Sequence, residues 1–222
     1  MRMFWMLIIY SIPFGVLTAI VCRMSWKKYY VIGKAAASLS FLGILLYAAI
    51  VSNAIGQFWL MIPAFLCCFT GDIYMALYNR QRKKIYFLMG LTIFLSGHVF
   101  FVRWLCRMQP LLMRDFLIPI GAVALTLGLT SLKKMHTGRL RPFLLVYAFF
   151  VALLFSKSLR LGISEMTLPH GMIALGGCLF LISDLSILFL YFYKKRSVGV
   201  HLFNLATYYY GMFFLAASLL FF

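Results

Sequence analysis

Negative charge is nearly absent from this chain. Among 222 residues only Asp72, Asp115, Glu165 and Asp184 are acidic, against 21 Lys and Arg. Long polar stretches are missing too. Charged residues make up 11% of the chain and hydrophobic ones 64%, whereas soluble domains hold about a quarter and about half. Nothing is left from which a separate soluble domain could be built, so residues 1–222 read as a single transmembrane domain. The basic excess would suggest nucleic acid in a soluble protein. Here it falls almost wholly in the gaps between apolar runs, where the membrane surface accounts for it, and no nucleic-acid partner is expected.

Several chemical signatures are absent as well. The five cysteines (Cys22, Cys67, Cys68, Cys106, Cys178) show no metal-ligand spacing, and adjacent Cys67 and Cys68 read as small core residues. His136, His170 and His201 lie near the ends of apolar runs, and neither H-x-x-x-H nor E-x-x-H occurs. There is no G-x-S-x-G elbow, no phosphate loop and no Cys–His pair of plausible geometry. A metal site could be drawn only through Asp72, Asp184 and His98. Neither a metal nor any other cofactor is expected.

What the chain does have is apolar length. A bilayer core of ~30 Å takes roughly 20 apolar residues per helix. Cutting at the charged gaps predicts an all-α polytopic membrane protein with about eight transmembrane helices: 3–22, 30–51, 58–79, 85–105, 112–132, 141–157, 168–193 and 201–221. The first run lacks a small-x-small cleavage site and reads as a retained helix. Gaps one, three, five and seven hold fifteen of the 21 Lys and Arg, among them Arg80, Lys133, Lys194 and Arg196. The positive-inside rule makes those gaps cytoplasmic and puts both termini outside, as in a bacterial inner membrane.

Two of the four acids need no special account on this reading. Asp115 and Glu165 sit near outer gaps beside Arg114 and Arg160, where surface pairing suffices. Asp72 and Asp184 differ. Asp72 lies eight residues before Arg80 and Asp184 ten before Lys194, which at 1.5 Å per residue places both ~12–15 Å from the basic gaps. Each costs about 2.5–3.5 kcal/mol to insert at the midplane, so a functional role is the default. A protonated structural carboxyl, bonded to a neighbouring helix, is the plain alternative.

The spacing around the two aspartates matches further. His98 follows Asp72 by 26 residues, as Tyr210 follows Asp184. This suggests a parallel duplication of four helices, with halves 1–110 and 111–222 and a site between them. Ser183 and Ser186 flank Asp184, Asn204 falls level with the aspartates, and Lys34 lies within snorkelling reach of the inner surface. Helix–helix hydrogen bonding is the plain reading of Ser and Asn. His98 gains interest chiefly as a partner for Asp72.

These residues also carry a resemblance. "FTGDIYMAL" and "GLTIFLSGHVFF", with "LFLISDLSILF" and "NLATYYYGMFFLA", resemble the lysoplasmalogenase-like (YhhN-like) transmembrane family over the whole length. The shared order is a Lys in span two, Gly-Asp in three, His in four, Ser-Asp in seven and tyrosines in eight. The resemblance implies hydrolysis of the vinyl ether bond of lysoplasmalogens to a fatty aldehyde and a glycerophospho-alcohol. It makes Asp72 and Asp184 the catalytic pair. Lys34, His98, Asn204 and Tyr210 are then expected to bind a lysophospholipid substrate amid membrane lipids.

The residues suit that chemistry by themselves. Protonating the β-carbon of a vinyl ether gives an oxocarbenium-like cation that water captures. Such a step wants one neutral carboxyl and one carboxylate, and two carboxyls in a low-dielectric pocket tend to share one proton. The enzyme reading expects a lipid-sized cleft onto which both aspartates face. Two alternatives stand beside it: a proton- or cation-coupled transporter using the same pair, and a non-catalytic lipid-binding membrane protein.

Overall fold

A computed structural model describes residues 2–193 and 197–222. Lys194, Lys195 and Arg196, which set the depth of Asp184 and Asn204 and complete the seventh basic gap, lie outside the described residues.

Among the described residues eight helices are long and apolar enough to cross a membrane. They contain α1 (Arg2–Cys22), α2 (Tyr30–Val51), α3 (Ile55–Gln81), α4 (Lys84–Met108), α5 (Leu117–Thr130), α6 (Arg141–Glu165), α7 (Leu168–Ile187) and α8 (Val198–Ala217), the fifth span reaching its length only with the 3₁₀ turn Met113–Phe116 ahead of α5. Helices are the outcome because lipid offers no partner for a free backbone N–H or C=O, so each segment must bond to itself. Short 3₁₀ turns lead into α2 and α5, and α7 runs on as a π-helical turn, Leu188–Phe192.

Six helices close a ring. Neighbours follow the order α2, α3, α4, α6, α7, α8, and α8 returns to α2. Outside the ring, α1 packs on α2 and α8, while α5 rests chiefly on α6. Each half thus repeats a chain of sequential neighbours. Sequential contact is the ordinary outcome for a helical bundle and does not by itself show a duplication.

Small residues let the helices touch. A Cβ on Gly176 of α7 would come within 3.0 Å of the Gly211 carbonyl on α8, and one on Gly211 within 3.1 Å of the Gly176 carbonyl. Close backbone approach of this kind drives helix association where lipid removes the hydrophobic incentive.

The structure corrects two expectations. The sixth helix does not stop at 157 but continues to Glu165. The reason is that its charges are held by protein: Lys157 Nζ donates to the carbonyls of Gln109 (2.5 Å) and Pro110 (2.8 Å). Asp115 is likewise no surface acid, being 1% exposed. It accepts from Arg160 Nε at 2.6 Å and Arg160 Nη2 at 2.9 Å, with the Leu112 N–H completing the site at 2.8 Å. These bonds fasten the 109–116 connection to α6 and have no chemistry to spare.

Candidate functional site

Asp72 sits one residue after Gly71 on α3. A Cβ at Gly71 would meet the Phe94 ring at 3.0 Å, so glycine leaves room for α4 beside the carboxylate. Asp72 is wholly buried. Lys34 Nζ of α2 lies 2.9 Å from its Oδ1, an ion pair set off the line of a hydrogen bond. Two hydroxyls donate to its Oδ2: Ser38 Oγ at 2.6 Å and Tyr208 at 2.9 Å. Lys34 and Ser38 are four apart on α2 and therefore share a face.

A further shell fixes these donors. The Tyr209 hydroxyl stands 3.0 Å from Ser38 Oγ and 3.3 Å from the Lys34 carbonyl. From α1, Tyr10 donates to the Tyr209 carbonyl at 2.7 Å. Asp72 is thus surrounded by a cation and donors, as an ionised carboxylate needs when it is taken out of water.

Asp184 on α7 has different company. His98 Nε2 of α4 lies 3.0 Å from its Oδ2, and Tyr147 of α6 donates to the same oxygen at 3.3 Å. The other imidazole nitrogen, Nδ1, is 2.6 Å from the Phe94 carbonyl. A carbonyl can only accept, so Nδ1 carries a hydrogen and Nε2 is the nitrogen left for Asp184. A bare Nε2 beside an ionised carboxylate would set two electron-rich atoms 3.0 Å apart, off any hydrogen-bond line. One proton on the pair removes that repulsion.

Both aspartates line one recess inside the ring, together with Lys34, Ser183, Asn204 and Tyr208. Asn204 Nδ2 donates to the Ser183 carbonyl (2.8 Å), Ser183 Oγ (3.0 Å) and Ser186 Oγ (2.9 Å), which binds α8 to α7 at the rim. The π-helical turn after Asp184 brings Tyr191 to the same wall, where it meets Asn79 at 3.1 Å. Single π turns inside longer helices recur at functional sites.

Of the six residues singled out in the sequence, Lys34, Asp72, Asp184 and Asn204 meet at this recess, and His98 stands behind Asp184. The sequence suggested Asp72 as the partner of His98; the structure pairs His98 with Asp184 instead. Tyr210 is elsewhere: its hydroxyl lies 3.3 Å from Ser11 Oγ and its ring packs on Phe14 of α1. Tyr208, two residues earlier, holds the place at Asp72. Ser38 and Tyr147, which the sequence does not mark, also reach the two carboxyl groups. The i, i+4 relation to Lys34 could have found Ser38, but nothing in the sequence distinguishes Tyr147 from other interfacial tyrosines. Among the described residues, no group of three His, Cys, Asp or Glu converges as metal ligands would.

A helical integral membrane protein with a buried, charged recess at its centre is the class these features define. Within that class the chain belongs to the YhhN family, which matches residues 31–219. No curated protein and no solved structure matches it.

Proposed function

We propose that the protein is a membrane-embedded hydrolase that cleaves the vinyl ether bond of lysoplasmalogen-type lysophospholipids, releasing a fatty aldehyde and a glycerophospho-alcohol. The observation that carries this reading is that two buried carboxyl groups line one recess in unlike settings: Asp72 is neutralised by a lysine, and Asp184 shares its surroundings with a histidine. Membership of the YhhN family supports a hydrolase of this kind.

The chemistry follows from that inequality. The His98–Asp184 pair gives its proton to the β-carbon of the vinyl ether, and the C=C electron pair forms the new C–H bond. The α-carbon becomes an oxocarbenium ion. Asp72 and the newly bare Asp184 carboxylate stabilise that charge in a low-dielectric site, where preorganised charges act most strongly. Water adds to the α-carbon and returns a proton to the His98–Asp184 pair. The hemiacetal then expels the glycerophospho-alcohol and leaves the aldehyde. Lys34 holds Asp72 ionised and presents positive charge to the lipid phosphate. Asn204 fixes the rim, and Tyr208 takes the part first assigned to Tyr210.

In this account the basic gaps face the cytoplasm, both termini lie outside and the substrate enters from the inner leaflet. The direct test is to incubate purified protein with a lysoplasmalogen and with an ester-linked lysophospholipid, measuring aldehyde and fatty acid separately. Aldehyde from the first substrate is the expected product. Fatty acid from the second, without aldehyde from the first, would replace this reading with an esterase.

A further inference from the structure

A second cavity opens beside Asp184. The wall is almost wholly apolar, with Leu91 from α4, Val151 from α6, and Leu181 and Leu188 from α7 and its π turn. It lies where α5, resting on α6, faces α4 and α7 across a gap. Asp184 and Ile187 line both this cavity and the charged recess, so the two spaces adjoin at these residues.

One further atom marks the cavity as built for a ligand. Thr126 of α5 lines it and is 1% exposed, yet its hydroxyl has no hydrogen-bond partner. A buried hydroxyl without a partner is unfavourable, because it has given up its bonds to water. That cost vanishes when a bound molecule offers it an oxygen.

Taken together, a charged recess and an apolar cavity adjoining at Asp184 match an amphiphile with a single hydrocarbon chain. We infer that the α4–α5–α6–α7 cavity binds the hydrocarbon chain of a lysolipid, whose phosphate end lies in the Lys34 recess. The bond to be cleaved then spans the junction beside Asp184, and Thr126 donates to an oxygen at the head of the chain. The gap at α5 is the lateral way by which the chain enters from the bilayer. This inference rests on the hydrolase reading for the reaction at Asp184, but the chain site can be tested without catalysis.

Two small residues of its lining, Ala122 of α5 and Ala148 of α6, allow the cavity to be filled from two helices. Ala122→Trp and Ala148→Trp would be compared with Leu125→Trp, which alters an α5 side chain exposed to the bilayer. The binding probe is a non-hydrolysable alkyl lysophosphocholine carrying a photoreactive diazirine in its chain, with a diacyl lipid bearing the same label as competitor class. Crosslinks of the lysolipid are expected in α5, α6 and α7, reduced at least tenfold in both cavity variants and unchanged in Leu125→Trp. Aldehyde release from long-chain substrate should fall in parallel, with short-chain substrate spared. Wild-type crosslinking in both tryptophan variants, or equal labelling by the diacyl lipid, would overturn the site. If the wild type crosslinks as expected but releases no aldehyde, the chain site stands and the vinyl ether reading falls.

Discussion

Asp72 and Asp184 are the same residue type on helices three and seven, facing one recess, yet they are held in different ways. Asp72 has an ammonium group at 2.9 Å and hydroxyl donors at 2.6 and 2.9 Å. Every group aimed at it supplies positive charge or a hydrogen. Asp184 has a longer tyrosine contact at 3.3 Å and an imidazole nitrogen at 3.0 Å, a group that can carry a proton or accept one. The difference teaches that two buried carboxyl groups need not be alike to work together. A lysine makes one a fixed charge. A histidine makes the other a place where a proton can come and go.

The comparison breaks first at Asp184. Asp184→Asn removes the proton-donating group, and general acid catalysis contributes about 10²–10⁴-fold. Aldehyde release by that variant should fall about 10³-fold, while the thermal midpoint in detergent stays near that of the wild type. A variant that loses its fold together with its activity would instead assign Asp184 a structural role.

Asp72→Asn should also abolish turnover, with a loss of stability besides. Removing one partner of a buried ion pair costs about 3–5 kcal/mol because the other charge is left uncompensated. Lys34→Met should destabilise similarly, and the double variant less than the sum of the two. Strict additivity in the melting midpoints would show that the 2.9 Å contact carries no coupling.

His98→Asn sharpens the same contrast. Without the imidazole that stands 3.0 Å from Asp184 Oδ2, aldehyde release should fall by about 10²-fold or more, while Lys34→Arg, which keeps a cation beside Asp72, loses less. Wild-type release from His98→Asn would separate His98 from proton transfer.

The smallest effects distinguish the tyrosines. Tyr208→Phe deletes a donor to a charged carboxylate, about 1.5–3 kcal/mol, and Tyr147→Phe should cost less because its contact is longer. Tyr210→Phe, next to α1, should leave activity unchanged. If Tyr210→Phe were the more damaging of the α8 pair, the rotation of α8 described above would be wrong.

Much of this was legible in the sequence. The eight spans follow from apolar length, and the matched depths of Asp72 and Asp184 follow from counting along helices whose rise is fixed. Rotation is harder to read than depth. Two residues turn a helix by about 200°, so spacing that pointed to Tyr210 missed Tyr208 on nearly the opposite face. Partnership is harder still. That His98 of α4 meets Asp184 of α7 depends on which helices face each other across the ring, which no local pattern encodes, whereas Lys34 and Asp72 stand on the sequential neighbours α2 and α3. A charge normally ends a span, so Lys157 reads in the sequence as the end of the sixth helix. Here a pair of backbone carbonyls receives it.

The central claim is that Asp72 and Asp184 act as unequal members of one catalytic pair. Its most direct test is aldehyde release from a lysoplasmalogen, measured for the purified wild type, Asp72→Asn and Asp184→Asn at matched fold integrity. The account predicts aldehyde from the wild type and none above background from either variant. Full activity in either one would contradict it.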